Sequence, residues 1–384
     1  MFKTILRFVR TIFFLLFDSI ACFRKNTLVI AVARTLIIRT DNIGDFVLWL
    51  PSAQKICEHY SENGKPFLIC NQTCVDFAKA TELFIEVIGI DLRQFNLNLF
   101  YRWSKLRDVS RIEASIAIQP TYSRAFLSGD SLVRASRAKS RIGSQGDNSN
   151  IRSWQKVISD RWYTRLIEAS PQPMMELERN TEFLRNLGIT NTKTEIPSIP
   201  KLQDLPPEKT IQGNYFVLFP GASSIIRQWS VEKFSDVAIE LVGRCGWTPV
   251  ICGGPGDRIL SDQLLMKLNA VSGKNLAGQT SLPELAEVIR GARLLISNET
   301  SAIHIAAGVQ TPSVCILGGG HYGRFMPYPE NLKGMKPTPA IKKMDCFGCN
   351  WRCTQTVDST MPYPCVEDIE VVQVMEAVDE ALDW

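Results

Sequence analysis

Past Arg34 the chain alternates short apolar runs with longer stretches whose apolar positions recur every three or four residues, the pattern of parallel strands joined by helices. In the first half this predicts strands over Thr35–Arg39, 66–70 and 114–119, and a helix over 46–60 that follows a Gly-containing turn. Residues 124–165 break the pattern. They hold nine Lys and Arg against three Asp and Glu, with Gly143, Gly146 and several Ser and Asn, and read as a mobile loop region or a solvated surface. The Pro-rich, polar stretch 197–207 reads as a linker. A second series then begins, with strands over Tyr215–Phe219, 248–252, 294–297 and 313–317 and helices over Val231–Cys245, Leu282–Arg290 and 302–308. No short-period repeat or low-complexity tract is present, which excludes a solenoid or propeller.

The amino terminus has a pattern of its own. Residues 2–23 are rich in Phe, Leu and Ile, with Lys3, Arg7 and Arg10 ahead of the apolar run 11–17, and Asp18 interrupts that run before it reaches the length of a membrane span. Ser19-Ile20-Ala21-Cys22 is a poor match to a lipoprotein cleavage site. Basic residues interleaved with Phe and Leu suit an amphipathic helix lying in an anionic membrane surface, an ordinary packed helix being the alternative and cleaved export the third choice. The expected segments are 1–34 (amphipathic), 35–200 and 208–365 (two α/β domains), and 366–384 (a terminal helix).

At 384 residues and 43.2 kDa the chain has room for two to three domains. With 45% hydrophobic and 21% charged residues it is neither disordered, collagen-like nor a polytopic membrane protein. A net charge of +4 is too mild to argue for nucleic acid. Its distribution says more: residues 1–200 carry 27 basic against 19 acidic residues, and 201–384 carry 16 against 20, so the first half is the one suited to meet an anion. Eleven cysteines, an odd number without the density of a secreted scaffold, point to a reducing compartment, the cytoplasm.

Three constellations sit where a strand ends and a helix begins, the place where open α/β sheets bind ligands. In Arg39-Thr40-Asp41-Asn42-Ile43-Gly44-Asp45, Asp45 is either a general base or a helix-start cap. In Pro220-Gly221-Ala222-Ser223-Ser224 followed by Arg227-Gln228-Trp229-Ser230, small residues free backbone amides for a phosphate. Ser223 and Ser224 supply hydroxyls and Arg227 a forked positive charge; a plain Gly turn with Ser230 as cap is the alternative. In Ser297-Asn298-Glu299-Thr300-Ser301-Ala302-Ile303-His304, Thr300 and Ser301 make either an anion cradle or a cap, Glu299 could accept from sugar hydroxyls, and His304 reads as a core histidine. Cys346-x2-Cys349-x3-Cys353-x11-Cys365 is spaced to bind zinc or to remain as reduced structural thiols. His321, after Gly318-Gly319-Gly320, closes a loop or lines a cleft.

The runs 35–56, 216–238 and 294–318, in this order and spacing, resemble glycosyltransferase family 9, the ADP-heptose:lipopolysaccharide heptosyltransferases, over roughly residues 35–375. The resemblance implies the GT-B fold: two Rossmann-like α/β domains facing a cleft, acceptor on the first and nucleotide sugar on the second, with a C-terminal helix crossing back. It makes Asp45 the catalytic base and puts Ser223, Ser224, Arg227, Thr300, Ser301 and Ala302 at the donor diphosphate, Glu299 at the donor sugar and Asp257 near the ribose. Glu299 stands where the family usually has Asp, Arg227 where Lys is common, and Ser301-Ala302 where Gly-Pro or Gly-Leu often occurs. The expected chemistry is inverting transfer from a nucleotide sugar such as ADP-heptose to an anionic, lipid-linked glycan at the inner membrane. No cofactor is required, and no Asp-x-Asp metal motif is present. Arg124, Arg137, Lys139 and Arg141 are the candidate acceptor contacts. A nucleotide-sugar epimerase of the same fold, or a non-catalytic nucleotide-sugar-binding protein at the membrane, are the rival readings. A Rossmann oxidoreductase and a P-loop enzyme are disfavoured, since Gly-x-Gly-x-x-Gly and Gly-x4-Gly-Lys-Ser/Thr are missing.

Overall fold

A computed structural model describes residues 2–21, 34–268, 271–355, 357–358 and 360–383. It divides into two compact units, one of residues up to Phe46 with Ser52–Gln172 and Arg179–Lys193, the other of Val47–Pro51, Pro173–Glu178 and the chain from Thr194 onward.

Each unit is built on a six-stranded parallel sheet. The first contains β1 (Thr35–Arg39), β2 (Phe67–Asn71), β3 (Glu86–Ile90), β4 (Ile116–Gln119), β5 (Ser140–Ser144) and β6 (Arg165–Ile167), in the order β3-β2-β1-β4-β5-β6. The second contains β7 (Tyr215–Phe219), β8 (Thr248–Ile251), β9 (Lys274–Asn275), β10 (Leu294–Asn298), β11 (Ser313–Ile316) and β12 (Thr338–Ala340), in the order β12-β11-β10-β7-β8-β9. Read from its own first strand, the second order repeats the first, which is the doubly wound Rossmann arrangement. The strand order reverses between β1 and β4 in one sheet and between β7 and β10 in the other, so each sheet has one switch point.

The strands are legible because helices cover both faces of each sheet. β1, β7 and β10 are buried at every position, so their sequences run apolar without alternating. Helix starts and stops follow local chemistry. Ser230 accepts from the Lys233 N–H to open helix Val231–Cys245, and Gly246 closes it at φ 65°. A Ser281/Glu284 capping box with Pro283 opens helix Leu282–Arg290.

One expectation is corrected. Residues 124–165 are not a loop region: they form helical turns over Phe126–Asp130 and Ser131–Ser136, strand β5, helix Ser153–Asp160 and the start of β6. Most of their basic residues, among them Arg137, Lys139, Arg152 and Arg161, are exposed as a solvated surface would have them, but Arg124 is not. Arg124 is buried between Asp130, 3.7 Å away, and Asp160, with its guanidinium 4.7 Å from the centre of the Tyr163 ring, whose hydroxyl donates to Asp130 at 2.6 Å. The terminal helix, Val371–Ala381, packs on the second sheet: Val374, Met375 and Val378 join the core formed by Phe216, Phe234 and Val314, and the Trp229 indole donates to Ile369 O at 2.8 Å. Asp18, the residue that breaks the amino-terminal apolar run, is buried inside helix Phe2–Ala21's contact with helix Leu99–Arg111, where Arg102 grips both its carboxylate oxygens at 2.6 and 2.5 Å. No helix among the described residues is long and apolar enough to cross a membrane.

Candidate functional site

In the first unit the switch point presents the loop after β1. Arg39, buried at the strand's end, holds Asp41 at 2.6 Å, Thr121 just beyond β4 donates to the same carboxylate oxygen at 3.0 Å, and Arg39 also donates to the Asn180 side chain at 3.2 Å. Asp41 is thereby occupied in fixing the loop. Helix Ile43–His59 starts at Asn42, whose backbone is extended and whose side chain makes no capping bond. Asp45 occupies the third helical position rather than the cap, partly exposed, at the positive end of the helix, with its own carbonyl accepting from Arg39 at 3.4 Å.

The four candidate acceptor contacts do not share one environment. Arg124 is buried in the pairs described above, and Arg141 is turned onto backbone carbonyls, among them Ala138 O at 2.5 Å and Trp162 O. Arg137, left-handed at φ 52°, and Lys139 are exposed in the turn leading into β5.

In the second unit, the loops after β7 and β10 meet at the switch point and are stapled by Asn298. Its amide donates to Pro220 O at 2.7 Å and accepts from the Trp229 N–H at 3.1 Å, satisfying a fully buried polar side chain from both loops. This staple holds Arg227 over the crevice. Arg227 donates to Glu299 O at 2.9 Å and Ser223 Oγ at 3.3 Å, stands 3.2 Å from the Glu299 carboxylate, and lies 4.9 Å from the centre of the Trp351 ring. Its Nε and both carboxylate oxygens of Glu299 are buried without a hydrogen-bond partner, an uncommon state for charged groups and one that ligand-binding sites tolerate. Burial pushes the Glu299 carboxyl up to about 7, Arg227 pulling it back only in part. Thr300 caps helix Ser301–Val309, its Oγ1 accepting from the Ala302 N–H at 3.3 Å and lying 3.0 Å from Ser297 Oγ. Ser223 and Ser224 are exposed, Ser301 partly so, and Ala302 is buried. Arg227, Ser223, Glu299 and Thr300 are therefore brought together as an open cationic notch beside a helix start, an arrangement that can receive an oxyanion.

Asp257 closes its own turn. It accepts from the Gly254 N–H at 2.8 Å and packs so closely on Gly221 that a Cβ there would meet its carboxylate at 2.3 Å, joining the loops after β7 and β8. His304 is buried, stands 3.0 Å from the Tyr328 hydroxyl and is pushed down to about 4 by burial, so it stays neutral in the core. His321 accepts from the Trp351 indole at 3.2 Å through Nδ1, which leaves Nε2 as the donor to Asn350 at 2.8 Å and fixes the neutral tautomer. It closes a loop. Trp351 also packs on Gly320, where a Cβ would meet the indole at 2.3 Å.

Among the described residues no group of three or more His, Cys, Asp or Glu is arranged to hold a metal ion. Of the four cysteines whose spacing allowed zinc, Cys365 is buried in the short helix Pro364–Glu367 and the other three are partly exposed; burial first, and then the nearby Cys349, Cys346 and Cys353, push the Cys365 thiol up. Sequence reasoning missed two residues of the notch. Asn298 had a signal, a polar residue at the end of a strand that begins apolar, but Trp351 had none, because only the tertiary fold brings it to Arg227.

The model of glycosyltransferase family 9 (heptosyltransferase) matches residues 131–351. Lipopolysaccharide heptosyltransferase 3 of Escherichia coli (strain K12) is 30% identical over 164 residues, covering 41% of this chain and 47% of that protein; the chain spans about half the length of the curated relatives it matches. Among solved structures, the family 9 glycosyltransferase from Veillonella parvula DSM 2008 superposes with a TM-score of 0.68 at 16% identity, over 91% of this chain and 97% of that one. The E. coli heptosyltransferase WaaC with ADP-2-deoxy-2-fluoro heptose superposes with a TM-score of 0.65, also at 16% identity, over 90% and 99%. With two parallel sheets of Rossmann order, an open notch at the second switch point and a family model matched over more than half its length, the chain belongs to glycosyltransferase family 9.

Proposed function

We propose that the protein is an inverting, metal-independent glycosyltransferase that moves a heptose from ADP-heptose to a lipopolysaccharide core or related anionic, lipid-linked glycan at the cytoplasmic face of the inner membrane. The observation that carries this reading is the notch at the β7/β10 switch point, where Arg227 and Glu299 keep buried polar atoms without partners. Binding of a nucleotide diphosphate there satisfies Arg227, and the adenine-nucleotide sugar carried by the WaaC structure favours ADP. In the reaction, Arg227, the Ser223 and Ser224 hydroxyls and the start of helix Ser301–Val309 stabilise negative charge on the departing diphosphate. Glu299 accepts from donor sugar hydroxyls. Asp45 takes the proton of the acceptor hydroxyl as it attacks the anomeric carbon from the side opposite the leaving group, so that configuration inverts without a covalent intermediate. Arg137 and Lys139, the exposed members of the basic set, serve the anionic acceptor.

The test is calorimetric titration with ADP, UDP and GDP in the presence of EDTA, followed by transfer from ADP-heptose to heptose-deficient lipopolysaccharide. Selective ADP binding and acceptor-dependent release of ADP are expected. Release of free or epimerised sugar without acceptor would establish the epimerase reading instead, and absence of nucleotide binding would refute the site.

A further inference from the structure

Helix Phe2–Ala21 is fastened to the first unit by one face and bare on the other. Thr11, Phe14 and Asp18 point inward at helical spacing; besides the buried Asp18–Arg102 pair, Arg134 donates to Ser19 Oγ at 2.7 Å. On the opposite side Val9, Phe13, Leu16 and Ile20 form a continuous stripe, 57%, 50%, 61% and 74% exposed. The stripe does not end at the helix. Arg10 donates to Asn96 O at 3.2 Å, which places Leu97 and Phe100, 66% and 76% exposed, beside it. A helix that only completed the core would carry polar residues on this side, so an apolar face held outward by a buried ion pair calls for an apolar partner.

The charges around the stripe identify the partner. Arg10 sits beside it on the same helix, whereas Asp18 is committed to Arg102, Asp91 to the helix start at Gln94, and Asp108 to Arg111 at 3.3 Å. A pocket of about 430 Å³ opens beside the amino-terminal half of the helix, lined by Arg10, Asn148, Ser149, Arg152, Trp154 and Gln155. The two guanidinium groups and the Asn148 amide suit a phosphate group with a polar attachment, the Ser149 hydroxyl donating to Asp147 and the Gln155 amide to Thr11, and Trp and Arg beside an apolar stripe are what a bilayer interface selects.

We propose that the first unit docks on an anionic phospholipid bilayer, with the Val9/Phe13/Leu16/Ile20 stripe in the acyl boundary and the Arg10/Arg152 pocket on a lipid phosphate headgroup. This deepens the membrane-surface reading above and rests on it. The experiment is co-sedimentation of the full chain with vesicles of phosphatidylcholine alone and of phosphatidylcholine mixed with phosphatidylglycerol, with ADP titration of every variant as the control for the nucleotide site. The wild-type chain is expected to bind the anionic vesicles and not the neutral ones, more weakly as salt rises. Phe13→Glu with Leu16→Glu is expected to weaken binding at least about tenfold, and Arg10→Glu with Arg152→Glu about tenfold with a shallower salt dependence, both with unchanged ADP affinity and circular dichroism. Equal binding to both vesicles, or anionic binding untouched by Phe13→Glu/Leu16→Glu, overturns the proposal. Self-association abolished by that variant, without vesicle binding, would make the stripe an interface between copies. Lost ADP binding in the wild-type chain would instead refute the transferase reading and leave the docking result standing.

Discussion

Glu299 gives the sharpest test of the notch. Its carboxyl is buried beside one cation, and the cost of removing its charge from water exceeds what Arg227 returns at 3.2 Å, so the folded protein holds its proton up to about 7 instead of 4.5. Below pH 4.5 the carboxyl is protonated in both the folded and the unfolded chain, and nothing is lost. Between 4.5 and about 7 the folded state keeps a proton that the unfolded state has released, so stability falls as pH rises and levels off above about 7. The full drop is about 3 kcal/mol, with about 2 kcal/mol of it lying above pH 5.5, an order-of-magnitude figure set by the pKa rise. Glu299→Gln keeps the shape and removes the titration. In urea unfolding of the wild type and variant from about pH 5.5 to 8.5, the difference curve cancels the other carboxylates: the variant should gain on the wild type as pH rises and stop gaining above about 7. A difference independent of pH would mean that Glu299 is ionised throughout in the folded state and that the Arg227 pair outweighs burial, refuting the reasoning.

Arg227→Ala should weaken ADP binding about 10- to 100-fold, the loss of one or two charge-assisted bonds, and slow transfer as well; calorimetry and steady-state rates check both, and unchanged values would remove Arg227 from the site. Asp45→Asn should abolish transfer while leaving ADP affinity within about twofold, because a base acts on the acceptor; lost donor affinity would contradict that role. Asp18→Ala strands the buried Arg102 guanidinium and should cost about 3–5 kcal/mol, seen as a lowered midpoint of thermal unfolding, whereas Asp18→Asn, which keeps a hydrogen-bond acceptor, should cost less. Asn298→Ala should also lower the midpoint, since it leaves Pro220 O and the Trp229 N–H without their buried partner.

What the sequence could reveal followed from the kind of signal each element carries. β1, β7 and β10 were legible because strands buried on both faces carry continuous apolar runs, and the loops after them were legible because polar, small and hydroxyl residues interrupt such runs abruptly. Helices Val231–Cys245 and Leu282–Arg290 were bounded to the residue by their caps. Partners brought in from distant segments were not legible: nothing local to Trp351 ties it to Arg227, and nothing in Val371–Ala381 says which sheet its apolar face covers.

Charge was the least readable property, and arginine shows why. Arg39, Arg102, Arg124 and Arg227 are the same residue in a sequence count, the first three in the half with 27 basic against 19 acidic residues and Arg227 in the half with 16 against 20. In the fold the first three are buried and committed, to Asp41 and Asn180, to Asp18, and to Asp130 and Asp160. They organise the first unit, each against a carboxylate, and because every such pair removes an acid along with a base, the basic excess of that half rests on exposed residues such as Arg137 and Lys139. Arg227 differs in its partner: Glu299 holds its proton to about 7, so near neutral pH the pair is not fully neutralised. A partly exposed arginine beside a carboxylate that is itself kept from ionising retains charge that the fold has not neutralised, and that is the state of Arg227 in the notch at β7 and β10.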